Sequence, residues 1–139
     1  MLEHIIKDIY DAITFAEGGA PRFELMKPHF LEDAKMISNK GGTPTVLSVD
    51  GFIDMVSRNV ANGDIVSVRE SEIQSEYSIY GKVAQIASEY ELYFQGKDSS
   101  QTRYGVNLLQ LIQTDGKWLI TSMCWDDDVK LGQISLAAN

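Results

Sequence analysis

The chain has 139 residues, with 12 lysines and arginines against 20 aspartates and glutamates, and its formal net charge is -8 at pH 7. Hydrophobic residues make up 44% and charged residues 23%, a composition typical of a globular protein with one core, so we expect a single domain. The negative charge repels phosphate backbones and anionic membrane surfaces, and neither nucleic acid nor a membrane is an expected partner.

Cysteine use and the N-terminal sequence favour a cytoplasmic protein. The single cysteine, Cys124, excludes an internal disulfide framework and suits a reducing compartment. Acidic residues, among them Glu3 and Asp8, interrupt the first apolar stretch, which therefore lacks the continuous apolar core of a signal peptide. No later run approaches the length of a membrane span.

Two helices are predicted at the start of the chain. Apolar residues from Leu2 to Ala16 recur at helical spacing, and Gly18-Gly19 supplies a stop. Pro21 opens a second, brief helix with the sequence PRFELMK. Pro28 ends this helix, because a proline disfavours helical geometry in the residue before it.

The middle of the chain is predicted to form a strand, a loop and a third helix. EDAKMIS is interpreted as a short strand and NKGGTPT as a loop. Ser48 or Asp50 is the expected cap of the helix GFIDMVSRNVAN, whose residues Phe52 and Val56 share an apolar face. Gly63 ends this third helix.

Four strands are predicted from Ile65 onward, with the approximate sequences VSVRESEIQSEYSIY, KVAQIASEYELYF, QTRYGVNLLQLIQ and KWLITSMCW. Turns of the types GK, GKDSS and DG separate them and favour antiparallel pairing of consecutive strands. The predicted order is α-α-β-α-β-β-β-β, an α+β fold in which a curved antiparallel sheet wraps around three N-terminal helices. We expect one domain over residues 1–139, with about 127–139 as a C-terminal tail.

The last predicted strand is apolar on both of its faces. Successive side chains of a strand point to opposite sides of the sheet, and in KWLITSMCW both sets are largely apolar. Helices can cover only one side. An exposed apolar patch usually marks an interface, so we predict a homodimer formed through the outer face of the sheet.

The segments FLEDAKMIS, DGFIDMVSRNV and, above all, DGKWLITSMCW resemble the nuclear-transport-factor-two-like superfamily, which includes ketosteroid isomerases, polyketide cyclases and scytalone dehydratase. The resemblance extends from about Ile5 to Trp125. It implies a cone-shaped α+β fold with an apolar pocket between sheet and helices, usually in a homodimer. Proteins of this kind range from enzymes to non-catalytic binding or transport modules.

The resemblance transfers only part of the isomerase chemistry. That branch uses a carboxylate base beside a tyrosine and a protonated carboxylic acid. Tyr10 matches the tyrosine, but Ser38 and Asn39 stand where the base is expected, and Asn107 stands in the strand of the second acid. We therefore expect no steroid isomerisation by that mechanism, although Asn107 can donate a hydrogen bond to a bound carbonyl or alcohol.

Other chemical groups form weaker patterns. His29 is a candidate general base or a structural loop histidine, since no carboxylate partner follows from its position in the sequence. The run Asp126 to Asp128 lacks the spacing of a calcium loop and is interpreted as a solvated strand end. Cys124 has no neighbouring base and is expected to be a buried spacer. We expect no metal site and no cofactor.

The sequence leaves three functions open. The first is binding of a small apolar or aromatic ligand, the second an enzyme of isomerase, dehydratase or cyclase type, and the third a structural dimerisation module. Tyr10, His29 and Asn107 are the candidate catalytic residues. The predicted pocket residues could equally fill a core; they are Tyr10, Phe30, Met55, Tyr77, Tyr93, Asn107, Met123 and Trp125.

Overall fold

The computed structural model describes residues 2–132. Within these residues, the fold consists of two α-helices and six strands: α1 Leu2–Ile13, β1 Phe30–Ser38, β2 Thr45–Ser48, α2 Val49–Ala61, β3 Ile65–Tyr80, β4 Val83–Gly96, β5 Ser100–Thr114 and β6 Lys117–Asp127. Three short 3-10 helices occupy Phe23–Leu25, Lys27–His29 and Lys40–Gly42. The predicted α+β class and the curved sheet are confirmed.

The six strands form one sheet in the order β2-β1-β6-β5-β4-β3. Strands β3 to β6 pair antiparallel with their neighbours along the chain, as predicted. The prediction of antiparallel pairing does not extend to β1, which runs parallel to β6 with Phe30 opposite Ile120 and Met36 opposite Met123. A parallel pair needs a long connection, and here the connection includes α2 and β3 to β5.

Two predicted elements differ from the structure. The second helix is replaced by the 3-10 helices Phe23–Leu25 and Lys27–His29, because the segment between Pro21 and Pro28 is too short to nucleate a stable α-helix. The edge strand β2 was not predicted, since four residues carry too little alternation to identify a strand.

The predicted third helix forms as α2, and its capping residue is Ser48. The Ser48 hydroxyl accepts a hydrogen bond of 3.0 Å from the backbone N–H of Gly51, which satisfies one of the free donors of the first turn. Phe52 and Val56 on the inward side of α2 are buried. Between residues 2 and 132, no helix is long and apolar enough to cross a membrane.

The core lies between the helices and the concave face of the sheet. α1 contributes Ile5, Ile6 and Ile9 to it, at the spacing that the sequence predicted. Alternate residues of the central strands face these side chains, and the most deeply buried include Met36, Ile86, Leu109, Leu111 and Ile120. Burial of these apolar surfaces is the main stabilising contribution to the fold.

A bulge in β3 determines which of its side chains face inward. The register of β3 against β4 shifts between Glu72 and Gln74, so Ile73 is the extra residue. Before the bulge, Glu70 and Glu72 pair with Leu92 and Tyr90. Because paired residues of antiparallel strands share a face, both glutamates lie on the same face as the buried Tyr90.

Candidate functional site

A buried tyrosine links α1 to the sheet. The Tyr10 hydroxyl lies 2.8 Å from Ser88 Oγ, and the Asn107 side-chain amide donates to it at 3.0 Å. Ser88 and Asn107 are directly paired across β4 and β5. All three residues are buried, so their hydrogen bonds with one another replace the hydrogen bonds to water that burial removes.

The hydrogen bonds continue from Tyr10 toward solvent in one direction. The Ser88 hydroxyl donates to Glu72 Oε2 at 2.5 Å. Ser88 has one hydroxyl proton and uses it in this bond, so the Tyr10 hydroxyl is the donor to Ser88 Oγ. Glu72 itself is exposed. The result is a continuous chain of hydrogen bonds from a buried phenol to a surface carboxylate.

Glu70 is a second acid beside this cluster. The pKa of its carboxyl is raised from the ordinary 4.5 to about 7, mainly by burial. A hydrogen bond from Asn107 lowers this pKa and the negative charge of Asp127 raises it, and both effects are smaller than that of burial. Near neutral pH, Glu70 therefore exists in both protonation states. Burial is also the main cause that raises the pKa of Tyr10, followed by the charge of Glu70, so the phenol stays neutral.

A cleft of about 280 Å³ between α1 and β3 gives access to these groups. Its lining residues are Glu3, Ile6, Lys7, Tyr10, Asp11, Glu70, Ser71 and Glu72. Most of these residues carry charged or hydroxyl groups, which differs from the apolar pocket residues that the sequence predicted. The physical reason is that apolar side chains such as Ile9, Ile86 and Leu109 fill the space behind Tyr10 and are almost fully buried.

A second buried pair lies at the end of β6. The Tyr90 hydroxyl donates to Asp127, and Arg103 and Lys40 lie 3.4 Å and 3.8 Å from the same carboxylate. Asp127 is only 9% exposed, whereas Asp126 and Asp128 beside it are exposed, so the predicted solvated strand end is wrong for Asp127 alone. Tyr90 can reach this acid because Gly105, between them, has no Cβ to obstruct the ring.

Several predicted pocket residues lie on the inner face or in the core. Trp125 pairs with Asn107 across β5 and β6, and its ring meets that of Phe52 edge to face at 6.2 Å. Met123 and Phe30 are buried, and Met55 is partly buried against the same core. These side chains pack with other apolar residues and do not line the cleft beside Tyr10.

Two predicted pocket residues lie elsewhere. Tyr93 occupies the outer face of β4, because the inner positions there are the even-numbered ones, and the Arg69 guanidinium lies 5.2 Å from its ring centre. Tyr77 lies beyond the bulge of β3 and lines a different cleft, together with Trp118. Strand alternation turns Tyr93 away from Tyr10, whereas Tyr77 pairs with the buried Ile86 and faces inward at a different place along the sheet.

His29 has a carboxylate partner that the sequence did not reveal. Its Nε2 atom lies 2.7 Å from Asp8 Oδ2, and Nε2 of His4 lies 3.4 Å from the same oxygen. The spacing of Asp8 on α1 and His29 in a 3-10 helix contains no local signal of this pairing. His29 does not line the cleft beside Tyr10, so the pair joins the helix to the segment before β1.

Sequence reasoning missed Glu70, Glu72 and Ser88. In the run VSVRESEIQSEYSIY, Glu70 and Glu72 look like solvent-facing residues of a polar strand. The bulge that determines their orientation has no sequence signature. Within residues 2–132, no group of three or more histidine, cysteine, aspartate or glutamate side chains is arranged to hold a metal ion. The polar neighbours of Glu70 and Glu72 in this site are Tyr10, Ser88 and Asn107.

Comparisons with known proteins bear on the fold. The sequence matches no protein-family model and no curated protein. The structure is similar to that of the hexachlorocyclohexane dehydrochlorinase of Novosphingobium barchaimii, with a TM-score of 0.73 and 10% identity over 99% of this chain and 92% of the other.

Two further similar structures are those of NTF2-like proteins. The protein from Cytophaga hutchinsonii gives a TM-score of 0.63 and 12% identity over 90% of each chain. One of unknown function from Silicibacter pomeroyi gives 0.56 and 16%, over 91% of this chain and 92% of the other. The layered architecture and these similarities together show that the chain has the nuclear-transport-factor-two-like fold.

Proposed function

We propose that the protein is an enzyme of isomerase or dehydratase type that moves protons on a small substrate in the cleft between α1 and β3. The observation that carries the proposal is Glu70, a carboxyl group with a pKa of about 7 at the wall of an open cleft. A general acid or base works best when its pKa lies near the working pH. Perturbed acids in clefts are typical of functional sites.

Each residue has a defined task in this proposal. Glu70 takes a proton from the substrate or gives one to it. Asn107 hydrogen-bonds the carboxylate form of Glu70 and orients the Tyr10 oxygen at 3.0 Å. Tyr10 lies where the cleft meets the buried cluster and contacts the bound substrate. The cleft volume of about 280 Å³ lies just below the usual range of ligand sites, roughly 300–1,000 Å³, and suits a small substrate.

A dehydrochlorinase with the same fold supports this choice of reaction class, since loss of HCl, like loss of water, needs removal of a proton. The similarity of the two structures does not extend to sequence, with 10% identity. For this chain, the proposed reaction rests on Glu70, Tyr10 and Asn107.

The test is exchange of substrate protons with solvent. Small hydroxy-carbonyl compounds would be incubated with the protein in D₂O, and deuterium uptake followed by proton NMR. Glu70→Gln should lower the rate on the order of 10²- to 10⁴-fold. The matched control is Glu76→Gln, which removes an exposed carboxylate from the same strand. Equal rates for wild type and Glu70→Gln would refute the proposed role of Glu70.

A non-catalytic binding function is the second candidate, and a separate cleft favours it. This cleft, of about 390 Å³, is lined by Leu2, Glu3, Tyr77, Ile79, Gln113, Gly116 and Trp118. Two aromatic side chains there suit a small apolar or aromatic ligand. Quenching of tryptophan fluorescence by such a ligand, lost in Trp118→Leu, would support binding at this cleft. Quenching that persists in the variant would exclude Trp118 as the reporter and count against this site.

The homodimer is also a proposal, and the outer face of the sheet supports it. Leu108 and Tyr104 on this face are exposed apolar residues, and Cys124 and Leu119 are only half-buried. A second copy of the chain would remove these side chains from water. The same face is what a structural dimerisation module would use. We propose a cytoplasmic location, which the single, unpaired Cys124 supports.

A further inference from the structure

Three hydrogen bonds in series connect the buried centre of the candidate site to an exposed acid. Asn107 donates to Tyr10 at 3.0 Å, Tyr10 is 2.8 Å from Ser88 Oγ, and Ser88 donates to Glu72 at 2.5 Å. The residues come from four different elements: α1, β3, β4 and β5. Ser88 has 0% of its surface exposed, so water does not reach its hydroxyl from outside.

We propose that Ser88 and Glu72 form a proton relay for Tyr10, in which Glu72 is the final acceptor. The relay deepens the proposed function and rests on it for its substrate. Ser88 does not line the cleft and acts through Tyr10, so it is a positioning residue, whereas Glu72 borders the cleft and receives the proton through Ser88. Asn107 holds the phenol oxygen from the opposite side and has no part in the proton transfer.

The protons balance in a single concerted step. The substrate proton forms a bond to the Tyr10 oxygen while the original Tyr10 proton moves to Ser88 Oγ. The original Ser88 proton moves to Glu72 Oε2, and Glu72 becomes a neutral acid. The substrate retains the electron pair of the broken bond. Net transfer is one proton from substrate to Glu72, and the exposed Glu72 then releases it to water.

Such a relay resolves a difficulty in using Tyr10 as a base. Burial and the charge of Glu70 oppose formation of a phenolate. In the relay, Tyr10 loses its own proton as it gains another, so no phenolate accumulates at any stage. The proton neutralises the negative charge of Glu72, at the edge of the cleft.

The relay also gives the site two proton carriers with different tasks. Elimination and isomerisation both require one group that removes a proton and another that supplies one. Glu70 can supply a proton because part of its population is protonated near neutral pH. The route through Tyr10 and Ser88 can remove one. Both routes end at the same cleft, where Tyr10, Glu70 and Glu72 all contribute to the lining.

The experiment measures exchange of the Tyr10 hydroxyl proton with water by NMR saturation transfer, in protein labelled at tyrosine. Tyr10→Phe identifies the signal. Glu72→Gln keeps the size of the side chain but removes the proton acceptor, and should slow the exchange about 100-fold. Ser88→Ala should slow it similarly, and Ser88→Thr, which restores a hydroxyl, should recover it. Glu76→Gln, the exposed control on the same strand, should leave it unchanged.

Unchanged exchange in Glu72→Gln would overturn the relay, even if the serine variants failed to fold. Failure of Ser88→Thr to exchange faster than Ser88→Ala, with both variants folded, would overturn it as well. The relay and the proposed function fail separately, because hydroxyl exchange needs no substrate. Slow exchange in Glu72→Gln together with full turnover in Glu70→Gln would retain the relay and refute the catalytic role of Glu70.

Discussion

The Tyr10 hydroxyl and the Asn107 side-chain amide meet at 3.0 Å, although α1 and β5 lie in opposite halves of the sequence. This bond places a helix over the middle of the sheet at one defined position. A buried polar pair tolerates few alternatives, because a displaced helix would leave the amide without a partner. The contact therefore contributes to the alignment of α1 as well as to the candidate site.

Removal of the Tyr10 hydroxyl should weaken the fold. Tyr10→Phe leaves the ring in place but takes one partner from each of Ser88 and Asn107. We expect a loss of about 1–3 kcal/mol in the free energy of unfolding, measured by urea denaturation. The control is Tyr80→Phe, since Tyr80 is 74% exposed. An equal effect of both changes would contradict the importance of the buried hydrogen bonds.

Glu70 should make the stability fall as the pH rises. Its pKa is about 7 in the folded chain against an ordinary 4.5, so the folded state holds the proton more tightly than the unfolded state. The stabilisation is complete below about pH 4.5 and is lost as the pH rises toward 7, by roughly 3 kcal/mol. Urea unfolding at a series of pH values measures this loss.

Glu70→Gln removes the titrating group and should flatten the dependence of the free energy of unfolding on pH between about pH 4.5 and 7. The slope of unfolding free energy against pH is compared between wild type and Glu70→Gln, because the other acids titrate in both proteins. Glu76→Gln, at an exposed position of β3, should retain the wild-type slope. A Glu70→Gln variant with the wild-type slope would show that burial does not raise the pKa of Glu70.

Gly105→Ala should be strongly destabilising. A Cβ at this position would overlap the Tyr90 hydroxyl and the backbone carbonyl oxygen of Asp126. Overpacking of this kind costs about 1–3 kcal/mol or more, which urea denaturation would measure. Adding Tyr90→Phe should restore only part of the loss, since the clash with the carbonyl oxygen remains. Full recovery in the double variant would mean that the backbone clash has no cost.

The outer face of the sheet should support self-association. Sedimentation at micromolar concentration should show twice the chain mass. Leu108→Asp should dissociate the dimer, because Leu108 is 40% exposed in the single chain and an unpaired charge is costly to bury at an interface. Val46→Asp, on the edge strand β2, is the control. A monomeric wild-type protein would rule out this interface.

His29 should matter for stability and not for proton exchange at the cleft. His29→Ala removes the 2.7 Å contact with Asp8, and we expect a loss of about 1–3 kcal/mol because a carboxylate loses its partner. The deuterium uptake that depends on Glu70 should continue at the wild-type rate. A large fall in that rate, in a variant that remains folded, would make His29 part of the reaction.

Part of the site could be predicted because strand alternation is a local property. Asn107 shares its face with Leu109 and Leu111, and all three are buried. Trp125 pairs directly with Asn107, which agrees with the predicted parity. Tyr10 lies at the margin of the apolar stripe of α1, where a ring can be buried and its hydroxyl can reach the sheet. Their role in binding or catalysis stays a prediction.

The rest of the site depends on geometry that local sequence does not encode. The bulge at Ile73 changes the alternation within β3, so Glu70 and Tyr77 face inward from positions of opposite parity. Tyr93 is a predicted pocket residue because it is aromatic, but its odd-numbered position in β4 places it on the outer face of the sheet. The Asp8 to His29 contact joins α1 to the second 3-10 helix, 21 residues further along the chain.

The parallel pairing of β1 with β6 has a consequence for synthesis on the ribosome. β1 leaves the ribosome before β3 to β5, but its parallel partner β6 follows them, with Ile37 opposite Cys124 and Ser38 opposite Trp125. The meander from β3 to β6 can form from neighbouring hairpins, and β1 can pair locally with β2, but these two strands can join the rest of the sheet only after β6 has emerged. Contacts of such high sequence separation slow folding. The nascent chain therefore exposes the edge of β1 that pairs with β6, with Met36 and Ile37, until β6 has emerged.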